Sequence, residues 1–367
     1  MTERHCMFAT LSVLLFGLSV RFAMLTALLL IGLANIASAG NISLGSAKDF
    51  TVLELGEKAL NITSNSVIFG DVGKKKGGDK LFVSGSTVTG QLYGDSNLSI
   101  DISNSGGTNV NTGDTATTIA GDPGVNTSGK FSSKDTYHNP TYDPFVKMDM
   151  STAVSDALAA STAAAAETAN HTYSSGFSLT SGATQTINGV GGGTVVDISG
   201  GNFEIDGSGS VLTLHGGDAN DYFIINYRGS NDFKITSGGA INLTGSLTAS
   251  DVLWNIVNSG SKVELTGNAG STPDAPILGT FLAADRGFNI SSVETIPHGP
   301  PYERFIEGAI YGGGNGEGIN ITQSIIKYGP FMQPTPPPEV PEPSSAVLLG
   351  FGLIGILAFG RGRRPLV

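Results

Sequence analysis

The amino-acid sequence predicts a mainly β fold, a β-helix (solenoid) with one Ala-rich helix packed alongside. Three observations predict it. Glycine supplies 52 of 367 residues and charged residues only 14%, whereas hydrophobic residues reach 40%; this composition is typical of a turn-rich β fold and not of a charge-rich disordered chain. Short apolar segments recur between Gly, Asn, Ser and Asp and are too short for helices. One stretch also repeats at an offset of 20 residues.

The first strand candidates come before residue 94, and turn-forming residues bound each of them. They are residues 50–53, 62–63, 67–69, 81–83 and 91–93. Residues 62–73 resemble residues 82–93, which gives the offset of 20. A period of this length, made of short strands and turns, predicts the coils of a β-solenoid.

Eight more strand candidates follow in the second half of the chain. They are residues 194–198, 202–205, 211–215, 222–227, 233–236, 241–244, 252–257 and 262–266. Gly, Asn or Asp occupies nearly every gap between them, and we expect glycine at the corners because it adopts positive φ without steric cost. Strands spaced in this way, without intervening helices, predict a sandwich, a barrel or a β-helix.

Two different segments separate the strand groups. Residues 102–140 are polar and rich in Gly, Asn, Thr and Ser, so we expect a long loop or a partly disordered segment. Residues 151–169 are Ala-rich and predict a helix with Ser151 as its N-cap and Val154 and Leu158 one turn apart. The apolar side of this helix is small, so the helix is expected to lie flat against a sheet.

The N-terminal segment predicts export. An apolar run at residues 22–36 follows Arg21 and precedes Ala37-Ser38-Ala39, the pattern of a signal peptide over residues 1–39 with cleavage after Ala39. Signal peptidase and the general secretion machinery are the implied partners. Residues 7–20 form a second apolar stretch, which leaves open an uncleaved span or a later start codon. Cleavage would remove the single cysteine, Cys6, so no disulfide or Cys-based site is expected in the exported body, residues 40–330.

The C-terminal segment joins a Pro-rich linker, residues 331–343, to an apolar run, residues 346–360, and an arginine cluster. The fifteen apolar residues span only about 22 Å as a helix, less than a bilayer core of about 30 Å. The arginines after the run favour a cytoplasmic end. The expected sorting residues are Val340, Pro341, Glu342, Pro343, Arg361, Arg363 and Arg364.

This order of features at residues 340–364 resembles the PEP-CTERM sorting signal of Gram-negative bacteria. The resemblance implies an exosortase partner, transient insertion of the transmembrane segment into the inner membrane, and release to the cell surface or the extracellular polymer matrix. An ordinary C-terminal membrane anchor is the alternative.

The body resembles two related families, the ice-binding-like adhesin domain and the choice-of-anchor A domain. The resemblance rests on Val252-Leu253-Trp254-Asn255, on residues 277–285 and on residues 306–311. Ala284-Asp285 departs from the proline that the second family places there. Both families imply a right-handed β-helix that serves as a non-catalytic surface, adhesion or ice-binding module.

Charge excludes one class of partner. Residues 40–343 keep 15 of the 20 Lys and Arg residues but 30 of the 31 Asp and Glu residues, a net charge of −15. Phosphate binding needs an excess of basic residues, so nucleic acid is not expected as a partner. An extracellular polysaccharide is one candidate partner.

Two motifs partly match the sequence patterns of known ligand-binding loops. Residues 124–130 approach a phosphate loop, but Phe131 takes the place of the Ser or Thr that would bind Mg²⁺. Residues 216–221 resemble one calcium-binding nonapeptide, which normally occurs in tandem. We interpret the first as a loop and the second as a turn, with weak Ca²⁺ binding by the second as the alternative.

The remaining polar candidates do not converge on a catalytic or metal site. His138, His171, His215 and His298 lack metal-ligand spacing, so no metal or cofactor is expected. Asp206, Asp218, Asp221 and Asp232 are the only candidates for an acidic cleft of a polysaccharide-active enzyme. Turn chemistry also explains them. Trp254 is expected in the core.

An ice-binding face would need regular ranks of Thr or Ala on a flat sheet. The threonine candidates are Thr87, Thr89, Thr184, Thr186, Thr194, Thr213, Thr236, Thr244 and Thr266. They do not recur at a constant interval, so we interpret them as ordinary strand residues and expect no shaping of ice.

The sequence therefore predicts a non-enzymatic, exosortase-processed surface or extracellular-matrix protein with an adhesion or biofilm-matrix role. Ice binding on the same scaffold and a secreted polysaccharide-active enzyme are the two alternatives.

Overall fold

The structure is a computed structural model. It describes residues 42–75, 77, 79–95, 98–103, 118–119, 129–132, 145–267, 276–292, 305–314 and 317–334. The chain divides after Asn41 into two units, and every described residue belongs to the second, Ile42–Val367. The predicted signal peptide, its cleavage residues Ala37 and Ala39, the apolar run and all seven sorting residues lie outside the described residues.

The described chain begins with a short 3-10 helix, Gly45–Asp49, and continues through the first group of strands. These strands are β1 (Phe50–Glu54), β2 (Leu60–Thr63), β3 (Val67–Phe69), β4 (Asp71–Lys74), β5 (Leu81–Ser84), β6 (Thr87–Val88), β7 (Leu92–Gly94), β8 (Ser99–Ser103), β9 (Thr118–Ile119), β10 (Gly129–Ser132) and β11 (Phe145–Lys147).

Helix α1, Ser151–Ala166, separates this group from the second, and a 3-10 helix, Ala249–Asp251, interrupts the second. The first half of the second group is β12 (His171–Tyr173), β13 (Phe177–Thr180), β14 (Thr184–Asn188), β15 (Gly193–Ile198), β16 (Phe203–Asp206), β17 (Val211–Gly216), β18 (Tyr222–Tyr227), β19 (Phe233–Thr236) and β20 (Ala240–Gly245). The second half is β21 (Val252–Ile256), β22 (Val263–Thr266), β23 (Ile277–Leu278), β24 (Thr280–Ala283), β25 (Phe288–Ser291), β26 (Ile306–Gly308), β27 (Ile310–Gly312), β28 (Ile319–Thr322) and β29 (Ile325–Tyr328).

Successive strands contribute in turn to three sheet faces, so the chain winds as a β-solenoid. Sheet A has the order β11-β7-β4-β1-β27-β24-β21-β18-β15-β12, and sheet B has the order β10-β8-β5-β2-β28-β25-β22-β19-β16-β13. The third face comprises a three-stranded sheet, β14-β17-β20, and a six-stranded sheet, β23-β26-β29-β3-β6-β9. Among the described strands only β10 runs antiparallel to its neighbour, β8.

The stacking order of the coils differs from their order along the chain. The last coil, β27–β29, pairs with the first coil, β1–β3, in all three sheet faces. The N-terminal coils therefore extend from this junction in one direction and the C-terminal coils in the other. Helix α1 connects the two groups and is followed by β12, the edge strand of sheet A.

Two apolar layers hold the coils together. The inward side chains of all three faces form one core, in which Leu60 and Ile62 of β2 lie inside whereas Asn61 and Thr63 face outward. A second layer lies on the outer side of sheet A, where Ala157 and Ala160 of α1 pack with Leu253. Small alanine side chains let the helix lie close to the sheet, as the sequence predicts.

The structure confirms the mainly β class, the parallel strands and, among the residues it describes, one α-helix. The handedness of the winding stays a prediction. All eight strands predicted over residues 194–266 are present within one residue of the predicted bounds. The offset predicted from the early repeat is also present, because Val72 pairs with Leu92. In the described part of the chain no helix is long and apolar enough to cross a membrane.

Three local predictions are wrong. Residues 102–140 contain β9 and β10 and are not loop throughout. Ser151 is the first helical residue and not the N-cap, because Asp149 Oδ1 accepts its backbone N–H at 2.8 Å. Leu158 points away from the sheet and is 41% exposed, since the contact side of α1 is built from alanines.

Candidate binding face on sheet B

Sheet B has an open outer side. Helix α1 covers sheet A, whereas the outward side chains of sheet B stay exposed or half-buried wherever the structure describes them, except that Ser84 is only 9% exposed. The inward neighbours of these residues are fully buried, so the alternation along each strand is strict. In the described strands this outer side therefore presents a regular array of side chains to solvent.

One rank of the face is almost entirely hydroxylated. Parallel pairing brings the last residues of eight neighbouring sheet B strands into one rank, in which Thr236 and Thr266 directly follow the paired residues Ile235 and Leu265. Seven of the eight residues are Thr or Ser. From β13 to β5 the rank reads Thr180, Asp206, Thr236, Thr266, Ser291, Thr322, Thr63 and Ser84. Neighbouring strands lie about 4.8 Å apart, so the hydroxyl groups recur at that interval. Thr63 Oγ1 and Thr322 Oγ1 are 3.1 Å apart and share a hydrogen bond.

Thr236 and Thr266 both belong to this rank, although the candidate threonines do not recur at a constant interval in the sequence. The reason is the unequal length of the coils. Leu60 pairs with Leu81 across a short coil, whereas Phe288 pairs with Ile319 across a clearly longer one.

A second rank lies two residues earlier on the same strands and carries three neighbouring amides. In the same order it reads Ser178, Glu204, Lys234, Glu264, Asn289, Asn320, Asn61 and Phe82. Asn61 Nδ2 donates to Asn320 Oδ1 at 2.8 Å. The ring centroid of Phe82 lies 4.8 Å from Lys80 Nζ, a cation–π contact at one end of the rank.

Among the eight strands of the two ranks, charged residues occur on β16, β19 and β22, and beyond β5 the second rank continues to Asp101 of β8, which pairs with Phe82. Lys234 Nζ lies 2.9 Å from Asp232 Oδ2 and 3.8 Å from Glu264 Oε2. Hydrogen bonds from Thr236 and Ser237 lower the pKa of Asp206, and the hydrogen bond from Lys234 lowers the pKa of Asp232. These groups stay ionised and hydrated at neutral pH.

The three-stranded sheet offers a smaller hydroxylated face. Thr186 aligns with Thr213, and His215 Nδ1 lies 3.0 Å from Thr244 Oγ1. Thr184 also faces solvent there, whereas Thr194 is fully buried in sheet A. Thr87 and Thr89 lie at and just beyond the end of β6, in the six-stranded sheet. The threonine candidates are thus divided among separate faces.

The acidic candidates do not form a cleft. Asp218 and Asp221 lie in the connection before β18 and Asp232 in the connection after it, so the six-residue strand separates them. Asp221 is only 2% exposed, and its carboxylate accepts the backbone N–H groups of Gly192, Gly217 and Asp218. Burial alone would raise its pKa, but these hydrogen bonds outweigh burial and the pKa is lowered. Asp221 therefore stabilises the turn.

The structure also locates several of the other residues that the sequence analysis singled out. Trp254 is fully buried, as predicted, and its indole N–H donates to Leu278 O at 2.9 Å. His171 lies in the edge strand β12 and His215 on the three-stranded face, whereas His138 and His298 lie outside the described residues. Gly129 and Lys130 belong to β10, and the rest of the phosphate-loop imitation lies outside the described residues. Within the described ranges no three His, Cys, Asp or Glu residues are placed to hold a metal ion.

A sequence signal for the face did exist. Each of the eight strands ends in an apolar residue, any residue, an apolar residue, then Thr, Ser or Asp, and the next residue is Ser, Gly or Gln. Residues 60–64 (LNITS), 288–292 (FNISS) and 319–323 (INITQ) show it. The residue that follows the strand forms the corner: Ser64 and Ser292 adopt the left-handed conformation, with φ of 56° and 54°. Searching for glycine at corners misses these serines.

Comparison with protein families gives two matches. The model of the ice-binding-like adhesive domain, pAdhesive_15, matches residues 34–292. The PEP-CTERM protein-sorting motif matches residues 339–364. A search of curated proteins gives no match.

Several solved structures are similar to the chain at low identity. An ice-binding protein from an Antarctic Biological Consortium has 16% identity and a TM-score of 0.44, covering 78% of this chain and 91% of that one. An ice-binding protein from the Antarctic ascomycete Antarctomyces psychrotrophicus has 16% identity and a TM-score of 0.45, with 79% and 98% covered. The DUF3494 domain of a Shewanella frigidimarina ice-binding protein has 18% identity and a TM-score of 0.41, with 79% and 98% covered. With TM-scores below 0.5, the fold description depends on the strand pairing itself.

Proposed function

The chain belongs to the ice-binding-like adhesive domain family, and we propose that it is a non-catalytic surface or extracellular-matrix protein with an adhesion or biofilm-matrix role. The observation that carries the proposal is the pairing of this body with a PEP-CTERM sorting motif at residues 339–364. The motif implies a secreted protein that an exosortase processes. Transient anchoring in the inner membrane, cleavage after Ala39 and release at the cell surface or into the matrix complete the proposed route.

The outer side of sheet B supports an adhesive role. Strand pairing fixes its ranks of hydroxyl and amide groups, and such a surface can bind without paying the entropy of ordering loops. The carboxylates at Asp218, Asp221 and Asp232 are separated or already hydrogen-bonded to the backbone, which favours binding over hydrolysis of a glycan.

The adhesive role is tested in the source cells. Deleting the gene is expected to reduce attachment of cells to surfaces and retention of matrix polymer, and restoring the full chain is expected to recover both. Unchanged attachment and matrix in the deletion strain would contradict the proposal. Release of reducing sugar or unsaturated product from matrix glycans by the purified exported protein would support the enzyme alternative instead.

Ice binding is a second candidate, and the hydroxyl rank favours it. A ladder of Thr and Ser hydroxyls at a spacing of about 4.8 Å is regular enough to order water. Against it, Asp206 interrupts the rank, and Glu204, Lys234 and Glu264 flank it with strongly hydrated charges. The uncharged part covers only four strands, about 15 Å from the first strand to the last. We therefore rank adhesion first.

Ice shaping separates the two candidates. Under the adhesive proposal, the exported protein at micromolar concentration leaves growing ice crystals unfaceted and shows no thermal hysteresis. Faceted crystals that Thr322→Asp abolishes, and that Thr213→Asp on the three-stranded face does not, would establish the second candidate.

A further inference from the structure

Four neighbouring strands at the centre of sheet B, β5, β2, β28 and β25, present an outer surface without a charged side chain. We call this surface the neutral strip. Its residues are Phe82, Ser84, Asn61, Thr63, Asn320, Thr322, Asn289 and Ser291. Glu264 on β22 bounds the strip at one end; at the other end Phe82 pairs with Asp101 of β8 and lies beside Lys80.

The chemistry of the strip matches that of sugar hydroxyls. Each amide carries two donors and an acceptor, and each hydroxyl of the strip donates and accepts, as sugar hydroxyls do. Asn61 and Asn320 are joined by the 2.8 Å hydrogen bond, which fixes the orientation of both amides. Each amide keeps further donor and acceptor capacity for a ligand. Asn289 is exposed beside them. The half-buried ring of Phe82 adds an apolar platform on which the C–H face of a sugar ring can stack.

The charge of the protein selects among polymers. Residues 40–343 carry a net charge of −15, so acidic polysaccharides are repelled, whereas a neutral polymer meets a surface without unpaired charge. Strands recur about every 4.8 Å, close to the length of one sugar in an extended chain. A glycan that crosses the strands can therefore offer one sugar to each side chain of the Phe82–Asn289 rank.

We infer that the neutral strip binds an extended neutral polysaccharide, with the Asn61–Asn320–Asn289 amides bonding successive sugars and Phe82 stacking at one end. This inference rests on the proposed adhesive function and names its ligand class.

The test uses the protein purified from the exterior of its cells and insoluble cellulose and chitin as neutral probes, with calcium alginate beads as the acidic one. The wild-type protein is expected to be retained on at least one neutral polymer and not on alginate. Asn320→Asp keeps the size of the side chain and adds one charge at the centre of the strip. It is expected to weaken retention about tenfold or more, because binding would strip water from that charge.

The matched control is Asn242→Asp, the same change on the exposed side of β20 in the three-stranded sheet, which is expected to leave retention unchanged. Phe82→Ala is expected to weaken retention, and Tyr328→Ala, which removes an exposed aromatic ring outside sheet B, is not. Equal retention of the two Asp variants would overturn the inference.

Two further outcomes separate the ligand from the function. Wild-type protein that supports cell attachment but is retained on no neutral polymer would overturn the ligand class and leave the adhesive proposal standing. If the wild-type protein is retained on cellulose or chitin but cell attachment does not depend on the gene, the ligand class stands and the adhesive proposal is overturned. Faceting of ice that Asn320→Asp abolishes, without retention on either polymer, would also overturn the inference.

Discussion

A buried ion pair lies at the junction between the first and last coils. Glu54 and Lys74 are both fully buried, and Lys74 Nζ lies 2.9 Å from Glu54 Oε2 and also donates to Lys58 O. Glu54 pairs with Gly312 of the last coil and with Lys74 of the second. Burial raises the pKa of Glu54 to about 7, although Lys74 acts in the opposite direction.

This raised pKa predicts how stability depends on pH. Between pH 4.5 and about 7 the folded state binds the Glu54 proton more tightly than the unfolded state does. Stability therefore falls as pH rises through this window, with a slope of at most about 1.4 kcal/mol per pH unit from this group. Glu54→Gln is expected to remove that part of the slope in urea unfolding of the exported protein. Glu264→Gln, on the outer side of sheet B, should leave it in place; equal slopes for wild type and Glu54→Gln would contradict the assignment.

Arg286 provides the second prediction at the residue scale. Its side chain is fully buried, and its guanidinium donates to the carbonyl oxygens of five residues, among them Asn258 at 2.7 Å and Asn231 at 2.6 Å. Arg286→Ala leaves these acceptors without a donor and is expected to lower the free energy of unfolding by about 3 to 5 kcal/mol.

The matched control for Arg286 is Arg228→Ala. Arg228 is 31% exposed and pairs with Asp197 at 2.6 Å, so its removal is expected to cost about 1 kcal/mol. A loss from Arg286→Ala no larger than that from Arg228→Ala would contradict the role given to the guanidinium.

The sequence predicts the burial of some of these residues and not of others. The burial of Trp254 follows from its apolar strand and was predictable. Arg286 and Glu54 were not, because a single arginine or glutamate in a turn-rich sequence gives no sign that coils far apart in the chain will enclose it.

At the scale of elements, helix α1 is fixed to sheet A by a small buried amide network. Asn255 Nδ2 donates to Ser161 O and to Asn226 Oδ1, and Ser161 Oγ donates to Asn255 Oδ1 at 2.7 Å. Asn226 Nδ2 donates in turn to Ala164 O at 2.7 Å. Because the helix has mostly alanine on its contact side, these directional bonds set its position along the sheet.

Asn255→Ala is therefore expected to lower the free energy of unfolding by about 2 to 4 kcal/mol, since it leaves Asn226 and Ser161 with unsatisfied buried groups. Asn242→Ala removes the same side chain from the exposed face of β20 and is expected to change stability by less than about 0.5 kcal/mol. Chemical denaturation of both variants measures the difference, and similar losses would show that the network does not hold the helix.

The strands and the helix were predictable because their signals are local. A continuous apolar run marked β18 and alternation marked β19, both at their observed bounds, and the alanine run marked α1. The ranks of the candidate face were not predicted, because alignment across strands depends on coil length. The coil from Leu60 to Leu81 is much shorter than the coil from Phe288 to Ile319, so no single period brings the threonines of the rank together.

At the scale of the whole molecule, the junction between β2 and β28 is the feature that sequence patterns could not reveal. Its partners, Leu60 and Ile319, lie near opposite ends of the body's sequence, and each belongs to a repeat that is complete on its own. The two chain ends of the body also meet, since Gln333 Oε1 accepts the backbone N–H of Ile42 at 2.6 Å.

A disulfide tests the junction. Thr63 and Thr322 have side-chain oxygens 3.1 Å apart, and strands about 4.8 Å apart suit disulfide geometry. Thr63→Cys with Thr322→Cys is expected to form a bond on oxidation, seen by mass after thiol alkylation; Cys6, the only native cysteine, lies in the predicted signal peptide. Thr63→Cys with Thr236→Cys should stay reduced, because four strand spacings, about 19 Å, separate the two positions. Oxidation of the second pair alone would contradict the junction.

The central claim is that the protein is an exosortase-sorted surface protein whose folded body is retained after processing at both ends. Its most direct test is the intact mass of the protein recovered from the exterior of its own cells. We expect a chain that begins at Gly40 and ends near the Pro341-Glu342-Pro343 motif, with the tail retained only in cells without exosortase. Exported protein that still carries the sequence through Val367 in normal cells would contradict it.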